Sequence, residues 1–119
     1  MTVNEECLER DEWRCFKCGE VLRDSWPGYS CHHRQLKSGG GSDTLENRIS
    51  LCGSGSMGCH GLVHARPRWA RMAGFIVSRY DNPADVSVIH WQHGPVYLTA
   101  DGGIITGTEH LARGGGDGT

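Results

Sequence analysis

Two stretches decide the fold: Tyr29-Ser30-Cys31-His32-His33-Arg34-Gln35 and Cys59-His60-Gly61-Leu62-Val63-His64-Ala65-Arg66. The first follows a Pro27-Gly28 turn and reads as a strand. Residues 37–43, with Gly39-Gly40-Gly41, read as a flexible loop, and residues 48–51 return as the partner strand. In the second stretch Leu62, Ala65 and the two histidines recur at helical spacing, and Pro67 ends that helix or starts another. The expectation is a hairpin followed by a helix.

Upstream, residues 13–22 read as two short strands joined by a Cys15-x-x-Cys18-Gly19 turn, with Gly19 free to take the positive φ of the bend. Downstream, residues 67–72 read as a second short helix with Pro67 in its first turn, stopped by Gly74. Residues 75–80, 86–91 and 96–100 read as strands, the last two joined by His93-Gly94-Pro95 into a C-terminal β-hairpin. The fold class is therefore α+β, a single domain over residues 13–113. Residues 1–12, with no apolar periodicity, read as a disordered acidic tail, and residues 114–119 as a second tail.

Size agrees with one domain: 119 residues cannot fill two independent cores. With 37% hydrophobic residues and 18 glycines the core is thin, so a metal or disulfides are expected to support it. The longest apolar run, Phe75-Ile76-Val77, is far short of the roughly 20 residues of a membrane span. The acidic N-terminal segment is unlike a signal peptide, which predicts a cytoplasmic protein with reduced thiols and no membrane role. Charge is segregated. Residues 13–80 carry a net +6, and the two flanking segments carry −4 each, giving −2 for the chain. A basic body suits a polyanion such as DNA. Arg34, Arg66, Arg68 and Arg71 are the candidate phosphate contacts, with no acid between Arg48 and Asp81 to cancel them. Solubilising charge is the alternative. Trp69 and Trp91 are assigned to the core.

Cys15-x2-Cys18 and Cys52-x6-Cys59 supply four thiolates for one closed, structural zinc site. The second spacing is long, but Gly53, Gly55 and Gly58 let that loop fold back. A redox Cys-x-x-Cys would want a βαβ context that is absent. Cys31 is read as a small buried side chain and Cys7 as a free thiol in the tail. His60 and His64, four apart on a helix, can grip one ion. Neighbours on a strand face opposite ways, so His32 and His33 divide into one ligand and one general base. A zinc protease would need Glu directly after the first helical histidine, where this chain has Gly61.

These residues, over positions 13–64, resemble the HNH endonuclease family, whose ββα-metal (His-Me finger) fold is a hairpin and helix around one divalent ion. The resemblance implies His32, His60 and His64 as ligands of a catalytic ion, His33 as general base, and Asn47 as support for the loop carrying it. The interleaved cysteines further resemble small zinc-containing HNH proteins of tailed bacteriophages. That implies DNA cleavage in the host cytoplasm, with the large terminase subunit and portal as partners in genome packaging. Three imidazoles leave coordination positions for water and phosphate, and Mg2+, Mn2+, Ni2+ and Zn2+ all remain open as the ion. The acidic tail is expected to cover the basic face until a partner displaces it. The rival reading is a noncatalytic zinc-stabilised DNA-binding module, which explains the thiolates and the basic middle but not the histidines. No base-reading element is visible, so sequence preference should be weak.

Overall fold

The structure, a computed structural model, describes residues 1–114. Among the described residues it is an α+β protein with two antiparallel sheets and four α-helices. Helix α1 (Val3–Arg10) leads into a hairpin of β1 (Tyr29–His33) and β2 (Arg48–Cys52), followed by α2 (Gly58–Ala65) and α3 (Pro67–Met72). A meander of β3 (Val88–His90), β4 (Gly94–Leu98) and β5 (Ile104–Ile105) comes next, and α4 (Gly107–Ala112) is the last element among the described residues. Among the described residues no helix is long and apolar enough to cross a membrane.

The hairpin register pairs His33 with Arg48, His32 with Ile49 and Cys31 with Ser50. Ile49 and Leu51 of β2 are fully buried against Val63 of α2 and Phe16 of the cysteine knuckle. Phe75, Val88, Val96 and Leu98 continue that same core, so both sheets share it. Twelve buried side chains make up this core, which is thin, as the composition implies, and polar clamps supplement it.

The acidic N-terminal segment is not a loose tail. Thr2 and Glu5 form a reciprocal capping box at the start of α1, satisfying two backbone donors. Cys7 and Leu8 are buried. The Arg10 guanidinium donates to the carbonyls of Leu45 and Arg48, both at 2.6 Å, and to Asp11, whose other oxygen accepts from the Ser50 backbone N–H at 2.9 Å. Charge density here marks a docking device, which hydrophobic patterning alone overlooks. The contacts of the segment are thus with the β1–β2 hairpin.

Other elements differ in extent. Residues 13–22 form only one β-bridge, Arg14 with Val21, around the knuckle. Residues 75–80 are not a strand. They run irregularly, with Phe75 and Val77 buried and the Val77 N–H bonded to the Arg34 carbonyl at 2.9 Å. The turn of the C-terminal hairpin is Trp91-Gln92-His93, so Gly94 and Pro95 already belong to β4. A third strand and α4, with its own Thr106–Glu109 capping box, extend the hairpin. Trp69 and Trp91 are about two-fifths exposed rather than core. Trp91 instead lies flat over Gly19, where a Cβ would come within 2.6 Å of its ring, and the Lys17 ammonium sits 5.4 Å from the Trp69 ring. Cys7 is a free thiol, but it is buried in α1 instead of lying in a tail, and Cys31 is only half-buried. Of the C-terminal tail, residues 115–119 lie outside the described residues.

Candidate functional site

The four cysteines meet as the spacing predicts. The sulfurs of Cys15, Cys18, Cys52 and Cys59 all lie within 4.8 Å of one another, and Cys18 and Cys52 are 3.9 Å apart. Thiolates about 2.3 Å from a tetrahedral ion stand roughly 3.8 Å from each other, so the donor set fits a structural zinc. The Cys52–Cys59 loop closes because Gly53 takes a φ of +81° with its α-carbon against Met57 O, where a Cβ would be 2.1 Å away. Gly61 does the same on the helix side: a Cβ there would be 2.2 Å from Ser56 O. The absence of Glu at that position is thus a packing requirement. The Cys59 N–H points at the Cys52 sulfur at 3.4 Å. A hydrogen bond from Cys59 pulls the Cys15 thiol down to about 5, while burial pushes Cys18 up to about 11. Crowded sulfurs cannot all ionise without a cation among them.

The imidazoles form a second cluster. One nitrogen each from His32, His60 and His64 lies within the same 4.8 Å limit, with ring centroids 4.5 to 5.7 Å apart. Neighbouring carbonyls fix two tautomers, since a carbonyl only accepts. His32 Nε2–H donates to Phe75 O at 2.8 Å, leaving Nδ1 its lone pair. His60 Nδ1–H donates to Gly55 O at 3.0 Å, leaving Nε2 free, and His64 Nε2 lies 3.1 Å from it. Ligating histidines are typically oriented by such outer hydrogen bonds. Burial, with repulsion from His60 and His64, pushes His32 down to about 4, and burial lowers His64 too. Both shifts favour the neutral form a metal requires.

His33 follows His32 on β1, and its Nε2 lies 2.8 Å from Asp43 Oδ1. Arg48, its partner across the hairpin, also grips that oxygen at 2.7 Å, and Lys37 takes Oδ2 at 3.0 Å. These donors hold the Asp43 carboxyl well below its ordinary range, His33 contributing most. Asp43 was not singled out in the sequence. Its only signal is being the sole acid in the loop between His33 and Glu46. Asn47 is fully buried and clamps that loop: its Oδ1 accepts from Gln35 N at 2.7 Å, and its Nδ2 donates to Gln35 O at 3.0 Å and Ser42 O at 2.9 Å.

The arginines divide. Arg66, Arg68 and Arg71 are exposed on and beside α3. Arg34 is fully buried and cannot touch a phosphate: it donates to Gly74 O, Glu46 O, Pro83 O and Val86 O at 2.7 to 3.0 Å. The strand alternation that turns His33 outward turns Arg34 inward just past the strand end, where loop carbonyls satisfy its donors. His90 and His93 stack on each other apart from the imidazole cluster. Comparison with family models, curated proteins and solved structures finds no match.

Proposed function

We propose that this chain is a metal-dependent HNH-type endonuclease that hydrolyses DNA phosphodiester bonds. The observation that carries the reading is the convergence of three imidazole nitrogens from β1 and α2, two with tautomers fixed for ligation, beside a fourth histidine held by a carboxylate. A divalent ion held by His32, His60 and His64 would neutralise charge at the scissile phosphate and at the leaving 3′ oxygen. His33, donating Nε2–H to Asp43, keeps Nδ1 free to take a proton from the attacking water. Asp43 orients that ring, and Asn47 holds the loop that presents Asp43. Arg66, Arg68 and Arg71 hold flanking phosphates without reading bases. By its resemblance to phage proteins, we infer that the chain would cleave beside a large terminase subunit and portal during packaging.

Supercoiled plasmid incubated with Mg2+, Mn2+ or Ni2+ should be nicked and EDTA should stop it. His33→Ala should cut the rate by about 10²-fold or more while DNA affinity stays put, because a general base contributes to the barrier and little to ground-state binding. Absence of nicking with every metal, alongside intact DNA binding, would leave a noncatalytic zinc-stabilised module.

A further inference from the structure

A groove lies just beyond the end of β1. One wall is Gln35, Leu36 and Ser38, which follow His33 almost directly; the other is the irregular run 76–80, with Arg71 of α3 at the side. The second wall follows Phe75, whose carbonyl holds His32, so each wall is a few residues along the chain from the candidate site. The groove is preformed. Val77 N bonds Arg34 O at 2.9 Å, and the Gln35 amide donates to Ser78 O at 2.9 Å and Asp81 O at 2.8 Å, tying wall to wall. Two cations, Arg71 and Arg79, line it with no acid among the lining residues.

Tyr80 stands at its mouth, 82% exposed. It contributes nothing to the core, yet it is held: Arg79 lies 5.0 Å from the ring centroid and donates to the phenol oxygen at 2.8 Å. A fixed, exposed ring beside cations is how proteins stack an unpaired base while tracking its backbone. A base inside a duplex is already stacked on both faces and offers the ring nothing. Resting on the nuclease reading for the strand's path, we infer that this groove binds a single-stranded DNA segment, with Tyr80 stacking a base and Arg71 and Arg79 pairing with phosphates. The substrate class is then DNA with unpaired nucleotides next to the scissile bond, such as a flap or melted end.

The test is fluorescence anisotropy in EDTA, so that no cleavage is needed, with a labelled oligodeoxythymidine of roughly 15 nucleotides and with duplex of the same length. The wild type should prefer the single strand. Tyr80→Ala should weaken that binding about tenfold or more and leave duplex binding unchanged, while Tyr80→Phe retains it. Arg71→Ala with Arg79→Ala should reduce the slope of log affinity against log salt by about 1.4. Equal single-strand affinity of Tyr80→Ala and wild type, or wild-type preference for the duplex, overturns the groove whatever the plasmid assay gives. Tyr80-dependent binding without nicking under any metal overturns the nuclease and keeps the groove.

Discussion

Arg34 joins four stretches of chain with one guanidinium. Its acceptors are carbonyls from the β1–β2 loop, the end of α3 and the turn before β3, each closer than 3.1 Å. A charged donor removed from such a set leaves several buried carbonyls unpaired, at about 1–3 kcal/mol apiece. Arg34→Ala should therefore lower the unfolding free energy by about 3 kcal/mol or more in urea titration, and Arg34→Lys should recover little, since an ammonium cannot span the fork. Wild-type stability in Arg34→Ala would mean that other contacts hold these loops. The cysteine and histidine clusters are legible in the sequence because their spacing is local and their chemistry specific. Arg34 is not, because its partners are backbone carbonyls up to 52 residues away, and a carbonyl leaves no mark on residue identity.

At the scale of elements, α1 shows how a strong compositional signal can mislead. Five acids in residues 1–12 suggest solvation, yet Thr2 and Glu5 spell a capping box and Arg10 with Asp11 latches the helix to β2. Leu8 completes the dock, 4% exposed within the common core. Truncating it to Ala should cost about 3 kcal/mol, and Thr2→Ala about 1 kcal/mol, both measurable by thermal or urea unfolding. Removing residues 1–12 should destabilise the protein and not raise its affinity for DNA. A truncated chain that stays as stable and binds DNA more tightly would restore the displaceable tail. The capping signature was present in the sequence for α1 and again for α4 at Thr106 and Glu109, but neither segment has enough apolar repeats to announce a helix. The hairpin and α2 were legible because turn glycines, strand residues and helical spacing agree there.

For the whole molecule, the decisive feature is that the two ligand clusters share one junction. Cys52 ends β2, Cys59 is the second residue of α2, and His60 is the next residue. The loop between the cysteines also supplies Gly55 O, which sets the His60 tautomer. A zinc held by the thiolates would therefore fix the first turn of α2 and, through it, the position of both helical imidazoles. The dependence would run one way: His64 contributes nothing to the sulfur cluster, so losing it would leave a zinc there intact. Cys18 is exposed, so its replacement removes a ligand without opening a core cavity. Metal analysis and calorimetric titration with Ni2+ can separate the two arms. His64→Ala should retain one zinc per chain and lose about tenfold or more in nickel affinity. Cys18→Ser should lose the zinc and the nickel site together, and unfold at lower urea, because binding energy at a structural zinc is folding energy. A folded Cys18→Ser protein that binds nickel like the wild type would show that α2 stands without the thiolate anchor.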